Sequence, residues 1–365
     1  MKTIAFYLPQ YHPIPENNRW WGDGFTEWHN VSRAKPLFKG HRQPQVPAEL
    51  GFYDLRCDET RHEQAALAKQ FGIDAFCYYH YWFNGKQLLE TPLKKLLADK
   101  ACDMPFCLCW ANETWSRAWD GKDREILMEQ VYSDEDSKRH ADYLCEIFKD
   151  SRYLKSQGKP IFIIYRVGKM DNPAKFVQVL NESAQKAGFE GVRVFAVRNF
   201  ACDVPDDKLA SYGINDIVDF QPNNTEYPPR SAFGKGIRLM QRQWNSLAKK
   251  IGLPEVYSVL RLHYTDVAKN VLKLYETFSE HHYPTVFPNW DNSPRRKAAT
   301  IIQNDNPADF ANWVRDAANI VRKRSEDNQF LFVNAWNEWA ESAHLEPEQK
   351  MGRAFLEAFK KGISE

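Results

Sequence analysis

The chain has almost no excess of charge: 49 Lys and Arg stand against 48 Asp and Glu in 365 residues, a net +1, with no long run of one sign. A nucleic-acid partner therefore has no electrostatic footprint, and a membrane-surface role gains no support from the overall balance. Phosphate-cradling GxxxxGK[ST] and GxGxxG loops are missing, as is a GxSxG nucleophile elbow. Ten histidines are scattered without HxH or HExxH spacing, and the neighbours His281 and His282 cannot easily share a metal from one regular element. No cofactor and no metal are expected. The seven cysteines are odd in number and include no CxxC pair, which reads as reduced thiols. Cys107 and Cys109 point to one face of a strand, as small core residues do. The apolar run after Lys2 is broken by Pro9 and Pro13, too short for a signal peptide. No stretch reaches transmembrane length. The expectation is a cytoplasmic chain without membrane insertion; its oligomeric state is not legible.

What the chain does have is aromatic: 12 Trp, 16 Tyr and 23 Phe. Near-continuous apolar runs at 3–8, 73–79, 105–110, 160–166, 192–198, 216–222, 283–290 and 330–336 read as strands buried on both faces. Amphipathic runs at 58–72, 133–150, 172–188, 266–280 and 306–324 read as helices. Asp58 and Ser133 are the expected caps of the first two, and Pro173 falls near the start of the third. Alternating strands and helices imply a parallel sheet. Eight strands fit one α/β domain over 1–365, a (β/α)₈ TIM-type barrel with elaborated βα loops. A Pro-, Asn- and Gly-rich stretch and a Trp-bearing helix form an expected loop insertion at 221–255, and 256–260 is a further strand candidate.

In such a barrel the C-terminal strand ends share one rim, where active sites are built. Polar and aromatic residues gather there. The first end offers Tyr7, His12, Glu27 and Trp28, and the second Tyr79, His80 and Trp82. The third offers Trp110, Asn112, Glu113 and Trp115. Arg166, Asn199 and Trp290 follow the fourth, fifth and seventh. The last carries "AWNEWAESAHLEP", with Trp336, Asn337, Glu338, Glu341, His344 and Glu346. Tyr and Trp present an apolar face with a polar tip, which suits sugar rings, so these are candidate carbohydrate-binding residues. Glu338 and Glu341 are three apart. On a helical turn they face each other, at a separation compatible with either retaining or inverting glycosidase geometry. On a straight strand they would point to opposite faces. Close carboxylates repel, which raises one pKa and leaves a general acid at neutral pH.

The segments "IAFYLPQYHPIPENNRWWGDGFTEWHNV", "YYHYWFNGKQLLETPL", "FCLCWANETWSRAWDG" and "NAWNEWAESAHLEP" resemble the WbsX-type glycosyltransferase-like family, which is similar to glycoside hydrolase family 99, the endo-α-mannosidases. The resemblance spans almost the whole chain. It implies a (β/α)₈ barrel and metal-independent retaining cleavage of an α-linked sugar. Glu338 would act as base on the substrate's 2-hydroxyl, and Glu341 as acid and then base at the leaving oxygen and water. The related pattern continues with Gly after the second Glu; here Ser342 stands, a small residue from which little change is expected. WbsX-type proteins tend to occur in surface-polysaccharide gene clusters. The expected partner is a bacterial poly- or oligosaccharide. Two other classes compete: a glycosyltransferase of lipopolysaccharide or capsule synthesis, and a non-catalytic glycan-binding protein. The only DxD is Asp134–Glu135–Asp136, which reads better as an acidic helix start.

Overall fold

The structure, a computed structural model, describes residues 1–117, 122–199, 204–223, 232–251, 256 and 258–365. Parallel strands occupy eight positions round a barrel. They are β1 (Lys2–Tyr7), β2 (Ala75–Phe83), β3 (Phe106–Trp110), β4 (Lys159–Ile164), β5 (Arg193–Arg198), β6 (Asp216–Asp219), β7 and β8 (Phe330–Val333). The seventh position is one run in two segments, His282–Tyr283 and Thr285–Val286, interrupted by Pro284. Proline has no N–H to give to a ladder, but the Pro284 carbonyl still accepts from Phe332 N at 2.9 Å. The first segment pairs with β6 and the second with β8, so this run closes the barrel.

The helices are α1 (Pro15–Trp21), α2 (Trp28–Arg33), α3 (Asp58–Gln70), α4 (Thr91–Ala98), α5 (Asp134–Phe148), α6 (Pro173–Lys186), α7 (Asp206–Ser211), α8 (Ala232–Ile251), α9 (Tyr264–Tyr275), α10 (Pro307–Arg322) and α11 (Ala354–Ser364). Local chemistry sets their starts. The side chains of Ser133, Asn172 and Asn306 accept backbone N–H groups at the heads of α5, α6 and α10. In α6 and α10 a proline follows the cap, where its missing N–H costs nothing. Asp58, the expected cap of α3, lies inside the helix, and Cys57 precedes it. Helices α1, α2, α4, α7 and α11 were not expected from the sequence. The last packs on α10 through Gly362, where a Cβ would stand 2.6 Å from the Ala311 carbonyl.

Residues Ser258–Arg261 do form a strand, but outside the barrel, in a side sheet with Ala298–Ile302 and Trp290–Asp291. Of the expected insertion at 221–255, residues 224–231 and 252–255 lie outside the described residues, as does Cys202; most of the rest is α8. The six described cysteines are free.

Strand alternation decides what each residue sees. On β2, Tyr78, His80 and Trp82 turn to the helices, while Cys77, Tyr79 and Tyr81 turn inward. His80 meets His140 of α5 at 2.9 Å, and Trp82 Nε1 donates to Asp136 of the same helix at 3.1 Å. The barrel's lower end is closed by Arg193, paired with Asp216 at 2.7 Å and bonded to Tyr283 and Asn328.

Candidate active site

The last strand end is bent into a platform. After β8, Asn337–Glu338 pairs antiparallel with Ala343–His344, and Trp339–Glu341 forms one 3₁₀ turn between them. In a 3₁₀ turn residues three apart eclipse, so Glu338 and Glu341 share a side. The turn is pinned from β1. Asn337 accepts from Leu8 N at 2.7 Å and donates to Leu8 O at 3.0 Å. The Tyr11 hydroxyl donates to Asn337 O at 2.5 Å and accepts from Trp339 N at 3.1 Å. Ser342 closes the hairpin at φ 53°, in the left-handed region where glycine is favoured. That explains the glycine of the related pattern. Here the serine hydroxyl accepts from Gln43 Nε2 at 2.9 Å, and Gln43 in turn donates to Asp291 at 2.6 Å.

Both acids converge on Arg295, from the loop after β7. Its guanidinium reaches Glu338 at 3.1 Å, Glu341 at 3.0 Å and Glu27, at the head of α2, at 3.0 Å. Three carboxylates around one buried cation leave an excess of negative charge, and a resident proton relieves it. Burial pushes Glu338 up to about 8, with Glu341 and Glu27 adding to the rise and Arg295 opposing it. Burial pulls Arg295 down, but the three carboxylates outweigh it and hold the guanidinium well above its ordinary value. Glu338 is nearly buried, whereas the Glu341 side chain keeps 20% of its exposure. One acid is thus enclosed and holds a proton more tightly than an ordinary glutamate, while its neighbour reaches solvent.

Beneath them a closed ring of aromatic contacts runs Phe6–Tyr79–Tyr165–Phe220–Phe6, with centroids 5.7, 6.0, 5.7 and 5.0 Å apart. Each ring buried there contributes about 1.5–3 kcal/mol. Trp115 meets Tyr81 at 5.1 Å and Trp20 at 5.9 Å on one flank. A second polar group stands at the neighbouring strand ends: Arg166 pairs with Glu113 at 2.7 Å and bonds Asn199 at 2.6 Å. Electrostatic coupling of Tyr165 to Glu113, Arg166 and Glu341 ties this group to the first.

The structure therefore brings together Glu27, Glu338, Glu341, Tyr79, Trp115, Glu113, Arg166 and Asn199. It turns others away. Tyr7 donates to Gln64 of α3 at 2.7 Å. His80, Trp82 and Trp110 pack with His140 against the outer helices, and Trp336 lies on Phe76 of the same outer face. Burial lowers His80 to about 3, so it is neutral. Glu346 is enclosed by Tyr53, Gln64 and Trp339 at 2.6–2.8 Å, and His344 stacks on Trp339 and bonds Gln45. Burial pushes Glu346 up to about 7 and His344 down to about 3. Asn337 and Asn112 are backbone clasps, the latter holding both N and O of Arg166. Trp28 packs beneath the platform on Tyr11 and Trp339. His12 is buried, and Trp290 is half-buried against the core. Sequence reasoning missed Arg295, Tyr11, Tyr81, Phe6 and Phe220, and it placed Tyr165 at the fourth strand end beside Arg166. The period-2 step from Tyr79 could have found Tyr81; nothing in "SPRRK" singled out Arg295. Among the described residues no cluster of three His, Cys, Asp or Glu could hold a metal ion.

The fold is an α/β barrel with two acids at its C-terminal mouth, and the comparisons assign its family. A family model described as Glycosyltransferase WbsX matches residues 3–359, and the chain belongs to that family. It is 36% identical over 370 residues to proteins named WxcX in two strains of Xanthomonas campestris pv. campestris. The match covers 99% of this chain but 49% of theirs, so the chain spans about half the length of these curated relatives. A glycoside hydrolase family 99 endo-α-mannosidase from Bacteroides thetaiotaomicron superposes with TM-score 0.59 at 11% identity, covering 100% of this chain and 96% of that one. A glycoside hydrolase-like protein superposes with TM-score 0.58 at 11% identity, covering 99% and 93%. At such identities these similarities speak for the fold.

Proposed function

We propose that the chain is a retaining, endo-acting glycoside hydrolase that cleaves α-linked, mannoside-like bonds in a bacterial poly- or oligosaccharide. The observation that carries this reading is the Glu338–Glu341 pair on one turn at the barrel mouth, held by a single guanidinium. In the productive state Glu338 is ionised and Glu341 carries the proton, and Glu338 takes the proton of the substrate's 2-hydroxyl. The freed oxygen attacks the anomeric carbon from the face opposite the leaving group, while Glu341 protonates the departing oxygen. A 1,2-anhydro sugar results. Water then opens it at the anomeric carbon, giving a proton to Glu341, and Glu338 returns its proton to the 2-oxygen. Two inversions give retention, and both acids end as they began. A base poised near working pH is the most effective one, and Glu338 at about 8 fits that requirement. Arg295 positions the pair.

The family's description as a glycosyltransferase favours a second reading, transfer from an activated donor in surface-polysaccharide synthesis. One experiment separates them. The protein and its Glu338→Gln/Glu341→Gln variant are incubated with mannose-containing and surface polysaccharides, with and without nucleotide sugars, and products are read by mass spectrometry. New reducing ends from the wild type alone, without donor, support hydrolysis. Donor consumption with chain growth overturns it in favour of transfer. A variant that turns over normally removes both acids from the mechanism, and glycan retention without turnover by the wild type leaves a binding protein.

A further inference from the structure

The near-neutral total hides a local segregation of charge. Helix α8, Ala232–Ile251, contains five cations at 235, 238, 242, 249 and 250 and no Asp or Glu in its 20 residues. Four of these positions are spaced three, four and seven apart, one stripe by helical period. A different stripe is apolar and uncovered. Met240, Trp244 and Leu247, four and three apart, are 70%, 43% and 51% exposed, and Leu239 beside them is 57% exposed. These are half of the eight large hydrophobic side chains that stand exposed among the described residues, and Val256 adjoins them. The helix meets its own chain along the flank of this strip: Ala248, four residues after Trp244, is buried, and Asn245 clasps both backbone groups of Val256 at 2.7 and 2.8 Å. Beyond that flank, Leu239, Met240, Trp244 and Leu247 stand uncovered by their own chain.

We infer that α8 is a docking surface for an anionic lipid bilayer, lying in the interface plane with Trp244, Met240 and Leu247 among the headgroups and acyl chains. A helix with a Trp- and Leu-bearing apolar face, a Lys- and Arg-rich remainder and low overall hydrophobicity has the chemistry of interfacial binding, not of spanning. No helix among the described residues is long and apolar enough to cross a membrane. Charge complementarity selects the occupant. Anionic headgroups attract each juxtaposed Lys or Arg, whereas a second copy of this chain would set one acid-free cationic helix against another. Trp favours the level of the headgroups, where its ring is apolar and its N–H is wet. The overall balance of charge misses this because the compensating acids lie elsewhere in the chain.

The test is co-sedimentation of the full chain with vesicles of phosphatidylglycerol and phosphatidylcholine in equal parts, compared with phosphatidylcholine alone. Binding is expected to the anionic vesicles, at least tenfold weaker to the neutral ones, and reduced by salt. A Met240→Ser/Trp244→Ser/Leu247→Ser variant is expected to lose it with an unchanged unfolding midpoint, since all three side chains are exposed. Lys249→Gln/Lys250→Gln provides a second arm that leaves the apolar strip intact, and each lost cation should weaken binding roughly fivefold. Equal binding to both vesicle types, no sedimentation with either, or retention by both variants overturns the proposal. So does a concentration-dependent dimer, seen in sedimentation velocity without lipid and abolished by the triple substitution, which assigns the strip to a second copy. None of these readouts depends on which sugar the barrel mouth accepts.

Discussion

Replacing Arg295 with methionine keeps the side-chain volume and deletes the charge, and it tests the electrostatic account of the site most directly. The guanidinium touches three carboxylates at 3.0–3.1 Å with 10% of its side chain exposed. At an effective dielectric of ~20 each such contact is worth about 4 kcal/mol before desolvation. Much of that gain offsets the cost of holding the charges out of water. Removing one partner of a buried pair leaves the others unpaired and destabilises by about 3–5 kcal/mol. The expected result of Arg295→Met is therefore a loss of about 3–5 kcal/mol in urea unfolding at neutral pH. Glu338 should also hold its proton to a higher pH than about 8, because the guanidinium that favours its ionised form has gone. The decisive arm is a double-mutant cycle with Glu338→Gln and Glu27→Gln. If the cost comes from stranded carboxylates, removing them must recover a coupling of at least about 1 kcal/mol. A single variant that costs under about 1 kcal/mol, or carboxamides that recover nothing, would show that Arg295 merely fills space.

The remaining predictions concern pH, the platform and the outer face. Folded Glu338 keeps its proton up to about 8 while an ordinary glutamate releases it at 4.5; the resulting stabilisation is full below the unfolded value and is lost as pH rises through the folded one. Glu338→Gln should flatten that fall in a series of denaturant midpoints, and an unchanged slope would contradict the assignment. In the same sense, the acid limb of any glycan turnover should climb towards about 8 as the base ionises. At Ser342, φ 53° predicts that Gly is tolerated within about 1 kcal/mol, whereas Val costs more than about 1 kcal/mol in the same assay, since β-branched residues resist this region. Trp82→Phe loses its bond to Asp136, so stability should drop by about 1–2 kcal/mol while glycan binding, measured by calorimetry, stays unchanged; a binding defect would place Trp82 at the site after all.

The sequence was most informative where the physics is local. Continuous apolar runs separated by capped amphipathic runs specify a parallel α/β architecture, and all eight expected strands are present, since each run had to be buried on both faces. The short helices were illegible because one or two turns carry too little periodicity, and α11 depends on Gly362 letting it approach α10. Glu338 and Glu341 were legible as a pair because the condition for their convergence, a turn rather than a straight strand, could be stated in advance.

The sequence by itself determined the barrel class and the family and singled out the candidate pair of acids, all of which rest on motifs and periods within short segments. Only the tertiary structure decided which aromatics face the mouth. His80 and Tyr81 are adjacent in sequence yet turn opposite ways, because a strand's side chains alternate and the phase is set by packing against α5. Only it brought Arg295 to Glu27, more than 260 residues away in the chain. An ion pair of that span leaves no trace in spacing or composition, because its partners meet only once the barrel has closed.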